Sequence, residues 1–187
     1  MKNLVLLAAI ALFPVQLAAT AEPTQAQQTQ NAIRQSASEI LEELYQIKPS
    51  SRKQIASAYG YAVFSTFGMK LMVAGGGNGK GVAVSHKPKR EVFMKMVSVQ
   101  AGLGFGIKKA RLVFVFKNKG AFDQFINSGW EFGGQASVAA TDGASGLAID
   151  GAVSVAPGVW LYQMTDKGLA AELAVKGTKF YRDPDLN

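Results

Sequence analysis

Cysteine is absent from the 187-residue chain, and histidine occurs once, at His86. A chain without thiols has no disulfide, no thiolate nucleophile and no cysteine ligand for zinc or iron. A Ser-His-Asp triad would have to use His86, and no metal site with two histidine ligands can form. These shortages disfavour most hydrolases and metalloenzymes. We therefore expect a non-catalytic protein with no cofactor and no metal.

Charged residues are also few, at 18% of the chain, whereas 48% of the residues are hydrophobic. This balance is typical of a folded globular domain and not of a disordered chain. A chain of this length buries roughly two thirds of its unfolded surface. The sequence predicts a single domain over residues 30–187, preceded by a disordered leader, rich in Gln and Thr, over residues 22–29.

The longest apolar run lies near the N-terminus. Lys2 is followed by apolar residues over 4–13 and then by the small-x-small sequence Ala19-Thr20-Ala21. This order predicts a signal peptide over residues 1–21, with cleavage after Ala21. A membrane anchor is the alternative, but the run is interrupted by Pro14 and is shorter than the roughly 20 residues that a span needs. We expect a periplasmic or secreted protein.

Acidic residues are nearly missing between residues 70 and 119, where eleven Lys and Arg residues accompany one acid, Glu91. This segment carries +10, against +7 for the whole chain. Such a basic face attracts anionic lipid, nucleic acid or acidic glycan, and export makes nucleic acid the least suitable partner. A basic surface without a dedicated partner is the alternative. We predict binding to an anionic phospholipid membrane surface through Lys87, Lys89, Arg90, Lys95, Lys108, Lys109 and Arg111.

Apolar residues at spacings of three and four predict an amphipathic helix over 30–47. Its polar face carries Arg34 and three glutamates, and an acidic face suits packing on a sheet better than binding to anionic lipid. Shorter helices are predicted from the capping-box pattern Ser51 to Gln54 and over 119–127. Strands are predicted over 61–67, 70–75, 81–85, 92–103, 111–116, 130–139, 147–156, 159–165 and 169–176. The sequence thus predicts an α+β domain, mainly antiparallel β-sheet, with the N-terminal amphipathic helix and one or two short helices packed on it.

The glycine-rich run over 75–81 lacks the spacing of a nucleotide-binding loop and leads into a strand instead of a helix. It predicts a hairpin, with Asn78-Gly79 as its two-residue turn. If the strands over 92–103 and 111–116 pair as a second hairpin, Lys108 and Lys109 lie at its tip. Neither glycine-rich segment, 75–81 or 102–106, predicts a nucleotide site.

Four blocks of the sequence together resemble one family. They are Gly60-Tyr61-Ala62-Val63-Phe64, the glycine run over 74–81, Ala101-Gly102-Leu103-Gly104-Phe105-Gly106, and the segment over 122–134. In this order they resemble the SYLF domain, also called the Ysc84-like domain or Las17-binding protein actin regulator. The resemblance covers about residues 50–182. It implies a non-catalytic lipid-binding module, since eukaryotic members bind phosphoinositides and membranes, and some also bind actin.

Two functions follow as hypotheses. The first is an exported domain that binds anionic phospholipid or phosphoinositide-type headgroups through its basic surface. The second is an envelope scaffold whose basic surface binds an envelope protein or an acidic cell-wall polymer. An enzyme is disfavoured, and the sequence makes no prediction of oligomeric state.

Overall fold

A computed structural model describes residues 22–71, 74–101, 106–132, 151–166, 168–169 and 177–187. The helices are α1 (Gln25–Ile47), α2 (Ser50–Ser57) and α3 (Lys119–Ser128). The strands are β1 (Gly60–Leu71), β2 (Ala74–Ser85), β3 (Arg90–Ala101), β4 (Gly106–Phe116), β5 (Trp130–Phe132), β6 (Val153–Ala156), β7 (Val159–Thr165), β8 (Gly168–Leu169) and β9 (Thr178–Arg182). These elements confirm the predicted α+β class.

The strands form one sheet in the order β5-β9-β3-β2-β1-β4-β7-β6, with β8 paired to β7. Every strand pair in the described part of the chain is antiparallel. At one end of the four central strands, which we call the near end, lie Gly60, Ser85, Arg90 and Phe116. The opposite, far end holds Leu71, Ala74, Ala101 and Gly106.

The predicted N-terminal helix is present, but it begins five residues earlier than predicted. Thr24 caps it, because its hydroxyl accepts a hydrogen bond from the Gln27 backbone while the Gln27 side chain bonds the Thr24 backbone. This capping box satisfies amide groups that the first helical turn leaves free. The leader expected to be disordered over 22–29 is therefore helical from Gln25. None of the helices that the structure describes is long and apolar enough to cross a membrane.

The sheet has a helix layer on each side. On one face, α1 and α2 bury a cluster that includes Ile40, Leu44 and Ile55 against Val63 and Val113. The prediction that the first helix packs on the sheet is thus confirmed. Since side chains alternate between the faces of a strand, the neighbours of these strand residues point to the opposite face, where α3 packs.

The α3 face is dominated by aromatic residues. The Phe114 ring centre lies 5.2 Å from that of Phe125 in α3 and 5.1 Å from that of Phe180 in β9. Phe64 of β1 adds an edge-to-face contact with Phe180 at 4.8 Å. Such pairs stabilise beyond the area that they bury. This cluster holds α3, β9 and the central strands together.

The prediction of a turn at Asn78-Gly79 is wrong. Asn78 pairs with Phe67 and Gly79 with Thr66, both within the continuous β1–β2 ladder. The chain reverses instead between Leu71 and Ala74. Gly81 allows close packing, because a side chain at this position would lie 2.3 Å from the Val63 carbonyl oxygen. The strand predicted over 70–75 therefore includes the last residues of β1 and the first residues of β2. The strand predicted over 81–85 is the second part of β2.

The predicted hairpin between the strands over 92–103 and 111–116 is also wrong. β3 pairs with β2 and β9, whereas β4 pairs with β1 and β7. β1 and β2 lie between them, so Lys109 is not at a hairpin tip but within β4, opposite Phe67. Hydrophobic alternation defines which residues form a strand but not which strand becomes its neighbour.

Predictions for the later strands are confirmed where the chain is described. The strand over 159–165 is β7, and the last residues of the 147–156 prediction form β6. Of the 130–139 prediction, residues 130–132 form β5 and the rest lies outside the described residues. Of the 169–176 prediction, only Leu169 is described, as part of β8.

Candidate functional site

The seven predicted lipid-binding residues do not form one surface. Lys87 and Lys89 lie in the turn after β2 and Arg90 begins β3, all three exposed at the near end. Lys109 lies seven residues along the sheet from that end, since it pairs with Phe67 while Gly60 marks the near end. Seven strand residues span about 23 Å. The basic segment of the sequence is therefore divided between the near end and the middle of the sheet.

The second group lies on the face that carries α1. Lys95 pairs directly with Lys80 across β2 and β3, and Arg111 pairs with Ser65 across β1 and β4. Directly opposed residues share a face of the sheet. Lys108 precedes Lys109 in β4, where it pairs with Gly68, and it is not a member of this group. Lys80, which was not among the seven candidates, belongs to this group.

Helix α1 turns this group into the side of a groove. It crosses the sheet from β3, where Arg34 forms an ion pair with Glu91 at 2.9 Å, to β4, where Glu43 contacts Arg111 at 3.1 Å. The strands continue past the helix toward the far end. The corner between the helix flank and the strands is a groove of about 940 Å³. Four cations line it, Lys80, Lys95, Lys109 and Arg111, and so do two carboxylates of α1, Glu39 and Glu43.

Arg111 fixes the helix side of the groove. Its Nη2 donates to the Thr165 carbonyl oxygen at 3.0 Å and contacts Glu43 at 3.1 Å, while Nη1 lies 3.5 Å from Asp166. Its Nε atom is buried and has no hydrogen-bond partner in the described part of the chain. A buried donor without a partner is unfavourable, so this atom lowers the stability of the arrangement around Arg111.

Lys95 is neutralised by the C-terminal segment. Its Nζ lies 2.8 Å from Asp185 and 2.9 Å from Asp183, whose side chain is only 2% exposed. These hydrogen bonds raise the pKa of Lys95 above its usual range. The segment is also held by Asn187, whose amide donates to the Phe93 carbonyl oxygen. Lys95 therefore positions the chain terminus and is not a free cation for a ligand.

Lys80 and Lys109 differ from their neighbours. Both are exposed, and neither forms an ion pair within the described residues. Lys80 pairs with Ser65 and Lys109 with Phe67 on opposite sides of β1, so two inter-strand spacings and two residues along the strand separate them. This places their Cα atoms about 12 Å apart. Two lysine side chains at this separation can approach one anion from both sides of the groove.

The ion pair of Asp185 predicts a pH dependence. The hydrogen bond from Lys95 lowers the pKa of Asp185 from its ordinary value of 3.8. Because the folded-state pKa lies below the unfolded one, the stabilisation is fully present above about pH 4 and is lost as the pH falls through the folded-state pKa. We expect a carboxyl NMR titration to show this lowered pKa, and Lys95→Met to raise it toward the ordinary value. An unchanged Asp185 titration in Lys95→Met would contradict the contact.

The groove also has an apolar side. Ile33, Ala37 and Ile40 of α1 line it together with Val63 of β1. Val97 lines it from β3 and is 42% exposed, one of two large hydrophobic residues left open in the described part of the chain. The groove therefore combines an apolar wall with cations, which is the composition of a site for an amphipathic anion.

Sequence reasoning found the cations but not their arrangement. Lys80 lies in the glycine run, where the assumed turn at Asn78-Gly79 hid the alternation Asn78, Lys80, Val82. Reading that alternation as one strand would have placed Lys80 on the face of Val82, which α1 covers. Glu43 of α1, expected on the outer face, is half-buried against Arg111.

Two comparisons with known proteins agree with the family predicted from the sequence. Residues 97–187 match the model of the Ysc84 family, described as Las17-binding protein actin regulator. The chain is also similar to the protein named Beta cell expansion factor A of Aeromonas veronii, with 32% identity over 164 residues. That alignment covers 88% of this chain and 61% of the relative, so the chain spans less than two thirds of the relative's length. The family match includes Lys109 and Arg111 of the groove.

Proposed function

Since the chain belongs to the Ysc84 family, we propose that it is a non-catalytic domain that binds the anionic headgroups of lipids, phosphoinositide-type headgroups included. One observation carries the proposal: Lys80 and Lys109 are exposed beside the groove, and neither forms a salt bridge among the described residues. We propose further that the protein is exported, a suggestion supported by the signal-peptide pattern of residues 1–21.

The charges of the groove favour a ligand over internal pairing. Arg111 and Lys95 are each held by two carboxylates, so they shape the groove and add little net charge. Lys80 and Lys109 supply the remaining positive charge. Each lysine near an anionic bilayer contributes about 1 kcal/mol at low salt, and the two together about 2 kcal/mol. Binding should therefore weaken with ionic strength, because surface charges are screened over about 10 Å at 0.1 M salt.

Vesicle binding tests this function. We expect the purified protein to sediment with phosphatidylglycerol vesicles at low salt and not with phosphatidylcholine vesicles. The double variant Lys80→Gln/Lys109→Gln should bind anionic vesicles about 30-fold more weakly, which corresponds to the loss of about 2 kcal/mol. The matched control Lys53→Gln/Lys117→Gln removes the same charge from α2 and from the end of β4, away from the groove. It should lower the affinity by less than the groove variant.

A third variant separates the two basic groups. Lys87→Gln/Lys89→Gln removes charge at the near end only. If this variant alone loses vesicle binding, the near-end turn is the lipid surface and the groove is not. If the wild-type protein binds no vesicle of any composition, lipid binding is wrong, and the basic surface is then better tested against envelope proteins and acidic cell-wall polymers.

A further inference from the structure

We infer that the groove beside α1 holds one whole molecule, a single-chain lipid with a phosphate monoester head, with its acyl chain along the apolar wall. This inference rests on the proposed lipid binding and goes beyond it, because contact with a bilayer surface needs only charge. It predicts binding of a dispersed lipid monomer in the absence of any membrane.

The size of the groove supports a chain as well as a head. Small-molecule sites in proteins typically have volumes of about 300–1,000 Å³. At about 940 Å³ the groove is at the upper end of this range, larger than a phosphate head alone would require. Within the described residues no side chain fills it. It is also open, so a lipid can enter from solvent without movement of α1.

The lining is arranged for an amphiphile. Ile33, Ala37 and Ile40 repeat along α1 and give a continuous apolar wall. Val97 extends this apolar surface on the strand side. Contact with an acyl chain is favourable because it removes CH₂ groups from water. An apolar wall of this kind contributes nothing to the binding of a headgroup alone.

The polar groups match a phosphate monoester. Lys80 and Lys109 together carry two positive charges and form no salt bridge among the described residues, and a phosphate monoester carries about −1.5 to −2 at pH 7. Ser65 lies between them in the strand register and is exposed, so its hydroxyl is available as a donor. A carboxylate carries one charge and would leave one lysine unmatched.

The experiment measures binding of dispersed oleoyl lysophosphatidate, below its micelle concentration, by calorimetry. Three other probes each lack or change one part of this lipid. Glycerol 3-phosphate has the head without the chain, and oleate has a carboxylate in place of the phosphate. Oleoyl lysophosphatidylcholine has a zwitterionic head. We expect lysophosphatidate to bind at least about tenfold more tightly than each of the three.

A pair of variants on α1 distinguishes the contribution of the groove to lipid binding from that of the lysine charges. Ser36→Trp places a large ring in the groove, which Ser36 lines, and leaves Lys80 and Lys109 intact. Ser38→Trp puts the same ring on the exposed side of the helix. Ser36→Trp should lose at least about tenfold in lysophosphatidate affinity and keep its binding to phosphatidylglycerol vesicles, whereas Ser38→Trp should change neither by more than about twofold. Circular dichroism checks that both variants fold.

The outcomes distinguish this inference from the proposed function. Vesicle binding without lysophosphatidate binding overturns the inference and leaves the surface function standing. Equal affinity for oleate overturns the assignment of a phosphate head, and equal affinity for glycerol 3-phosphate overturns the role of the chain. If the Ser36→Trp variant still binds lysophosphatidate with unchanged affinity, the binding site is not in the groove. Loss of both vesicle and lipid binding in the wild type overturns both.

Discussion

Replacing Phe114 with alanine is expected to lower the free energy of unfolding by about 3–5 kcal/mol. Phe114 has no exposed surface and lies at the centre of the aromatic cluster, with ring contacts to Phe125 and Phe180 on two other elements. Truncation removes these contacts and leaves a cavity that α3 cannot fill without leaving the sheet. Since domains are stable by about 5–15 kcal/mol, this loss is a large share of the total.

Denaturant unfolding monitored by tryptophan fluorescence measures this effect. Phe114→Leu is the matched control, because it keeps most of the buried volume and should cost less than about 1.5 kcal/mol. The aromatic cluster would not be the stabilising centre of the α3 face if Phe114→Ala lost under about 1 kcal/mol. Equal stability of the leucine and alanine variants would lead to the same conclusion.

Gly81→Ala is expected to destabilise the sheet by an amount at the upper end of the range for overpacking, about 1–3 kcal/mol. The added methyl carbon would lie 2.3 Å from the Val63 carbonyl oxygen and 2.5 Å from the Phe64 ring. The oxygen belongs to the backbone of β1, so it moves only if the β1–β2 ladder moves. For a domain of this size, this corresponds to a fall in melting temperature of roughly 2–4 °C for each kcal/mol.

Gly76→Ala in the same strand is the control. The nearest atom to an added methyl carbon there is the Ser98 carbonyl oxygen at 3.6 Å, an ordinary van der Waals contact. Alanine at this position should leave the melting temperature unchanged or raise it slightly, because it reduces the freedom of the unfolded chain. Equal melting temperatures for the Gly81 and Gly76 variants would show that β1 and β2 are not as closely packed at Gly81 as the structure describes.

Local patterns were enough to predict the elements of the fold but not their arrangement. The spacing of Ile33, Ala37, Ile40 and Leu44 predicted a helix packed on a sheet, and these four residues are buried there. β7 was predicted with its observed bounds because its apolar residues lie between Gly158 and Asp166. The neighbours of β3 and β4 could not be predicted, because pairing depends on the fit of distant side chains such as Phe180 against Met96.

The candidate site was predicted by residue type and missed in its geometry. Lys109 and Arg111 were identified from the charge of their segment, and both line the groove. Lys87, Lys89 and Arg90 were grouped with them because they are close in sequence, but these three residues lie at the near end of the sheet, several residues along the strands from the groove. The role of Lys95 depended on Asp183 and Asp185, almost ninety residues later in the chain. A contact between residues so far apart in the sequence cannot be predicted from a local pattern.

The strand order also has a kinetic consequence. β9 pairs with β3 through Arg182 and Met94, and β4 pairs with β1 through Phe116 and Gly60, so both pairings join distant parts of the chain. Closing such loops costs entropy before the contacts between strands stabilise them. Sheets built from non-local pairings form in milliseconds to seconds, whereas helical bundles form in microseconds to milliseconds. During that interval the hairpins β1–β2 and β2–β3 can form, because each joins two strands that are consecutive in the sequence. At that stage β3 has not yet paired with β9, and β4 has not yet paired with β7.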